Sequence, residues 1–244
     1  MKALTRYIAS IGLLLALCLG QLELPRDIPG NQTIHHLGYS LSYNEKHEQA
    51  AWVAYELTSI EVNGLVKRKD RFKKDPKVQT ESATKKDYKK SGYDRGLLAP
   101  AADMKWSKVA MDESFFMSNM SPQSPSFNRG IWKKLESKVR DWATSYGSIY
   151  IATGPFLDGK LTAIGTNKVS VPKFYYKVIL DFKDPDIKAI GFILPNEKSK
   201  NPLQSFAVSI NEVEEVSGID FFYNLPDNLE EAIESELEVG RWKW

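Results

Sequence analysis

The 244-residue chain is 42% hydrophobic and 26% charged, with a formal net charge of +2, which excludes a disordered chain and suits one large folded domain or two small ones. Its one cysteine, Cys18, falls within a predicted export signal, so disulfides, thiolate metal sites and a cysteine nucleophile are excluded from the mature chain. The near-neutral total conceals a separation: Lys67 to Arg95 holds twelve Lys/Arg and five Asp/Glu, whereas Asn211 to Glu238 holds ten acids and no Lys or Arg, a polarity that can present one face to a polyanion.

Residues 1–20 read as the signal. Lys2 and Arg6 open it, and Tyr7 to Leu19 is apolar apart from Ser10, shorter than the ~20 residues of a membrane span. Cleavage after Gly20 leaves a single domain over 21–244, in a periplasmic or secreted protein with no membrane attachment. Lipidation at Cys18 is the lesser reading, because Leu17 is bulky for that chemistry.

Residues 21–38, with Pro25, Pro29 and Gly30, read as an irregular lead-in. Tyr39 to Tyr43 and Ala51 to Leu57 have the composition of strands. Lys67 to Lys90, rich in Lys and Asp, reads as a long surface loop, followed by a strand-like Ser91 to Pro100 and a loop around Lys105 to Lys108. Ser114 to Met120 reads as a strand and Ser121 to Phe127, with two prolines, as a loop. Ile131, Leu135, Val139, Trp142 and Tyr146 recur at helical spacing and predict an amphipathic helix. Beyond it Ser148 to Thr153, Lys173 to Leu180, Ala189 to Leu194 and Ser205 to Ile210 read as strands, and Asn228 to Leu237 as a short acidic helix. Strands and helices without a regular β-α-β rhythm predict a mixed α+β domain.

Two segments carry chemistry. The first is Tyr93-Asp94-Arg95-Gly96-Leu97-Leu98-Ala99-Pro100. The second runs Phe116-Met117-Ser118-Asn119-Met120-Ser121-Pro122-Gln123, then Asn128-Arg129-Gly130-Ile131-Trp132, and ends at Leu135-Glu136. Together they resemble the signature of the DNA/RNA non-specific endonucleases, a branch of the ββα-metal nucleases. In that family the first segment reads Asp-Arg-Gly-His and the metal-binding Asn lies about thirty residues on; here Leu97 and Asn128 are 31 residues apart.

The resemblance implies a mainly antiparallel sheet flanked by helices, with a ββα-metal motif at about residues 91–146. It implies an Mg²⁺-dependent enzyme, with Mn²⁺ as an alternative ion, that hydrolyses DNA and RNA to 5′-phosphate ends through contacts with phosphates. Asn128 matches the direct metal ligand. Glu136, about 12 Å further along a helix and rotated by about 80°, matches a ligand acting through water. Arg140, four residues on, can pair with Glu136 or reach a phosphate. Arg68 matches the family's phosphate-clamping arginine, with Arg71 close enough to be its counterpart. Asp94, Arg95 and Asn119 match positions lining the cleft, and Asp94 has a structural alternative, a buried pair with Arg95. A homodimer is left open.

Leu97 occupies the position of the family's general-base histidine. Leucine accepts no proton, and loss of a positioned base removes about 10²–10⁴ of rate. Three origins are open: a loss by engineering or selection, a natural nucleic-acid-binding pseudo-nuclease, or a substitute base. His35, His36 and His47, the chain's three histidines, all lie far upstream. A secreted structural domain would make the matches at Asn119, Asn128, Glu136 and Arg140 coincidental.

Overall fold

The computed structural model describes residues 21–244; the segment expected to be an export signal, with Cys18, lies outside the described residues. In chain order the elements begin with β1 (Gln32–His35), β2 (Ser40–Asn44), β3 (Gln49–Thr58), α1 (Ser59–Val62) and α2 (Lys85–Tyr88). There follow β4 (Asp94–Leu97), α3 (Lys108–Glu113), β5 (Met120–Gln123) and, after a helical turn and a wide five-residue π turn at Asn128–Trp132, α4 (Lys133–Tyr146). The chain ends with β6 (Ser148–Pro155), β7 (Thr162–Ile164), β8 (Val169–Val171), β9 (Phe174–Asp181), β10 (Lys188–Pro195), β11 (Ala207–Val208), α5 (Ile210–Ser217) and α6 (Asp227–Ser235). Seven strands form an antiparallel sheet in the order β1-β2-β3-β6-β9-β10-β11, with β4-β5 and β7-β8 as separate two-stranded ribbons.

Helices cover both faces of this sheet, so its central strands are apolar on both sides rather than alternating. Tyr55 and Leu57 of β3, Ile179 of β9 and Phe192 of β10 pack with Leu135, Val139 and Trp142 of α4. Their neighbours Trp52, Val178 and Ala189 turn the other way, onto Ile210 and Val213 of α5 and Ile233 of α6. The ββα unit therefore hangs on one face of the sheet by α4, whose apolar stripe is the one read from the sequence.

Several sequence expectations are corrected. The lead-in contains β1, paired along its length with β2. Lys67 to Lys90 is a loop only in part: Asp75, Val78, Ser82, Ala83, Asp87 and Tyr88 are buried, and Thr84 caps α2 by a reciprocal pair of hydrogen bonds with Asp87. Ser107 caps the unforeseen helix α3. Ser114 to Met120 is no strand; Phe115 joins one apolar cluster and Met117 and Met120 another around a helical turn at Met117–Asn119. Phe116 makes only an isolated bridge with Lys73, and continuous strand pairing begins at β5. Short apolar runs do not reveal by periodicity which state they adopt. Likewise Ser205 to Ile210 pairs only at β11, because Ser209 and Glu212 form a capping box that starts α5.

Candidate nucleic-acid cleft

The Asp-Arg-Gly-Leu segment is β4, paired antiparallel with β5 so that Gly96 faces Ser121 and Leu97 faces Met120. A Cβ at Gly96 would lie 2.2 Å from the side-chain Cδ of Gln123, a fully buried residue, which explains the glycine. Asn119 fixes the strand's exit: its Oδ1 accepts from Ala99 N at 2.8 Å, and its Nδ2 donates to the Ala99 and Ser114 carbonyls at 3.0 and 2.8 Å. Pro125 then opens the helical turn leading to Asn128. Gly130, at φ −107° and ψ −112°, breaks helical geometry between Asn128 and α4, a departure glycine tolerates.

Arg68, Asp94, Arg95, Leu97, Asn128, Glu136 and Arg140 line one cleft of about 600 Å³. The structure thus gathers seven of the nine residues singled out in the sequence. Arg71 does not line it. Asn119 is fully buried, and its expected place on the cleft wall is corrected: a side chain spent on three backbone partners shapes the floor from behind. Asp70, Phe72, Arg129 and Lys133 also line the cleft and were missed, although Arg129 stands inside the quoted motif.

The pairings inside the cleft differ from those expected. Asp94 does not pair with Arg95. It receives Arg129 in a two-point contact at 2.6 and 2.8 Å and the Asn128 amide at 2.9 Å. Burial acts to raise the Asp94 carboxyl, but these hydrogen bonds outweigh it and hold the group below the usual carboxylate range. Arg95 instead stacks on Phe72, 4.2 Å from the ring centre, and Arg68 lies over Phe115 while contacting Asp70 at 2.6 Å. Arg140 makes no direct pair with Glu136. It bonds Asp103 at 2.8 Å and Ser137 at 3.0 Å, and Asp103 also accepts from Tyr55 at 2.7 Å. No sequence signal marked Asp103.

Glu136 is half-buried and accepts no hydrogen bond from a described residue. Burial pushes its carboxyl up, opposed chiefly by Lys177. Lys177, on β9 beneath the cleft, is fully buried, with Nζ 4.9 Å from the Trp132 ring centre and no hydrogen-bond partner among the described residues. A lone lysine in the apolar run Tyr175 to Leu180 was the signal for it, since lysine is almost never buried unpaired.

No histidine lines the cleft. His36 is buried against Asp75 at 2.8 Å, His35 bonds Ser40 and His47 bonds Ser170, so the substitute-base reading finds no candidate among them. Leu97 itself packs in two apolar clusters with Phe72, Met117, Met120 and Phe115.

The donor set can be tested against a divalent cation. Because the Asn128 amide NH₂ is committed to Asp94, its Oδ1 is left without a protein donor among the described residues. No group of three or more His, Cys, Asp or Glu suited to a metal occurs among the described residues. One amide oxygen with one nearby half-buried carboxylate fits a hard cation that keeps most of its waters, and does not fit zinc.

A two-stranded ribbon and a helix that bring an amide oxygen, a carboxylate and arginines to one cleft define the layout of the ββα-metal nucleases. The comparisons agree. A sequence model of the DNA/RNA non-specific endonucleases matches residues 24–228. The chain is 38% identical over 221 residues to the mitochondrial nuclease EXOG of Danio rerio, covering 84% of this chain and 64% of that protein. It is 38% identical to nuclease C1 of Cunninghamella echinulata var. echinulata (77% and 81% covered) and 36% identical to mitochondrial endonuclease G of Homo sapiens (77% and 68%). Among solved structures, the crystal structure of an EndoG/EndoGI complex superposes with a TM-score of 0.76 at 34% identity, covering 82% of this chain and 89% of the matched one. The chain belongs to the DNA/RNA non-specific endonuclease family. It spans about two thirds of the length of the mitochondrial relatives, 64% and 68%.

Proposed function

We propose that the protein is an exported, Mg²⁺-dependent endonuclease scaffold for DNA and RNA whose hydrolytic step is impaired by Leu97. The observation carrying this reading is the convergence of Leu97, Asn128, Glu136, Arg68 and Arg140 on one cleft. Arginines there meet phosphate oxygens, which carry no base identity, so one cleft serves both nucleic acids. Asn128 Oδ1 would hold the ion directly and Glu136 through water. When bound, the cation supplies Lewis-acid stabilisation of the charge developing on the departing 3′-oxygen.

In hydrolysis the water oxygen forms a bond to phosphorus, the bond to the 3′-oxygen breaks, and a 5′-phosphate remains. The water's proton must pass to a base on the attacking side. Position 97 is the cleft position matching the family's base, and a leucine there leaves the proton without an acceptor. Asp94 is a poor substitute, because the hydrogen bonds from Asn128 and Arg129 favour its carboxylate and lower its affinity for a proton. Export rests on residues 1–20 and their composition.

A second reading, a nucleic-acid-binding protein that does not cut, draws on the fit of Leu97 into the apolar wall between Phe72, Met117 and Met120. One experiment separates the two. Leu97→Ala and Leu97→His are compared with the parent in plasmid nicking and RNA degradation with Mg²⁺. On the nuclease reading Leu97→His cuts at least ~10²-fold faster than the parent, EDTA abolishes the gain, and Leu97→Ala gains nothing. A Leu97→His variant that binds DNA and Mg²⁺ yet never cuts establishes the second reading instead.

A further inference from the structure

Beyond Tyr93 the surface opens into a second groove, of about 680 Å³, within the ~300–1,000 Å³ range of sites that enclose small ligands. Phe174, at the start of β9, is 44% exposed there. Tyr93 stands half-buried on the wall, and its hydroxyl makes no hydrogen bond with a described residue. Lys160 and Lys173 are exposed and have no ion-pair partner among the described residues. From Gly159 to Lys173 the chain carries three lysines and no acid; Glu197 is the one acid lining the groove.

The groove is preformed. Asn196 accepts from Ser124 N at 2.8 Å and donates to the carbonyls of Pro122 and Pro172 at 3.0 and 2.9 Å, tying β5, the β8–β9 connection and the end of β10 together. It also lies next to the cleft, around the head of β4. Tyr93 and Asp94 are adjacent residues at the head of β4, ~3.8 Å apart at Cα, and successive side chains of an extended segment point to opposite sides. Asp94 lines the cleft and Tyr93 the groove. On the other side, Ser124 lines the groove and Asn128 the cleft, joined across one turn by Asn128 N donating to Ser124 O at 2.9 Å. One strand end and one helical turn are all that separate them.

We propose that this groove holds the single-stranded continuation of a nucleic acid leaving the cleft, with bases against Phe174 and Tyr93 and phosphates against Lys160 and Lys173. The proposal rests on the nucleic-acid reading of the cleft. Aromatic faces that accept any base, beside unpaired ammonium groups, are the chemistry of sequence-independent single-strand binding. Two sites along one strand also favour a longer substrate over a short one, because the second contact is intramolecular.

The test is binding of labelled single strands in EDTA, so that nothing is cut, using a strand of about 12 nucleotides and a fragment of about 3. Phe174→Ala should weaken the longer strand about tenfold and leave the short fragment unchanged, whereas Phe174→Trp should bind like the parent. Lys160→Glu combined with Lys173→Glu should reduce the salt slope of the longer strand by about two. Phe174 is exposed, so its truncation spares the core, and a melt of each variant checks this. Parent-like binding of the longer strand by Phe174→Ala and by the double variant overturns the proposal, as does an equal loss in Phe174→Trp. Arg68→Ala with Arg140→Ala tests the cleft separately. If that pair weakens both lengths while the groove variants do not, the cleft reading stands and the groove falls. The reverse pattern removes the cleft reading and with it the proposal of a strand continuing from the cleft, leaving only a separate binding groove, and a parent that binds neither length removes both.

Discussion

Two asparagines of the motif are bonded in opposite ways, which hydrogen-bond accounting separates. Asn128 keeps one amide oxygen without a protein donor among the described residues, at the cleft surface, and on the proposed metal site Asn128→Ala should abolish Mg²⁺ binding in calorimetry while leaving the melting temperature within a few degrees. Equal Mg²⁺ affinity in that variant removes Asn128 from the metal site. Asn119 spends its whole side chain on buried backbone groups of residues 99 and 114. Truncating it strands a buried donor and two acceptors, at about 1–3 kcal/mol for each group left unmade. Asn119→Ala should therefore lose roughly 3 kcal/mol or more, a fall of about 10 °C in Tm at ~2–4 °C per kcal/mol. A thermal melt with no shift would show that the floor does not depend on it. Both residues were visible in the motif, but residue identity does not tell a side chain left open at a cleft from one spent on buried backbone.

The basic segment before β4 shows how an element that looks like loop is fixed in place. Asp75 accepts from His36 at 2.8 Å, from Ser118 at 2.6 Å and from the Lys77 amide at 2.9 Å, pinning the segment that carries Arg68 to the lead-in and to the turn before β5. Burial acts to raise the Asp75 carboxyl, but these donors outweigh it and hold the group below its ordinary value. A carboxylate with a depressed folded pKa contributes stability that is fully present above the unfolded value near ~3.9, and lost as pH falls through the lower folded value. The parent should accordingly lose stability below about pH 4 in part through Asp75, and Asp75→Ala should be less stable at pH 7 and show a shallower decline in acid. Thermal melts from pH 7 down to pH 3 for both proteins check this; parallel curves would assign the acid sensitivity to other groups. At this scale the long, strongly periodic helix α4 and the central strands were legible. Elements started by local caps, such as α3 and α5, were passed over although Ser107 and the Ser209–Glu212 spacing announced them.

For the whole molecule, the separation of charge along the chain becomes a separation in space. The Arg68 segment borders the cleft, while the acidic run supplies α5 and α6 on the opposite face of the sheet. Nucleic acid should therefore approach from the cleft side, and its affinity should fall with salt at about −0.7 to −0.9 in log–log slope for each phosphate neutralised. Arg68→Ala should reduce that slope by about one, measured by anisotropy over a salt series, and Arg71→Ala, outside the cleft, should leave it unchanged. The opposite result would make Arg71 the phosphate clamp. The sequence by itself determined the family, the α+β class and half of the residues lining the cleft, because a motif with fixed offsets records which backbone positions converge on one site. The partners of those residues were decided only by tertiary structure: Asp94 with Arg129, Arg140 with Asp103, Lys177 beneath Glu136, and the groove beside Tyr93. Each joins residues far apart in the chain, and side-chain pairing in a buried site follows from which strands and helices pack together, which no local spacing encodes.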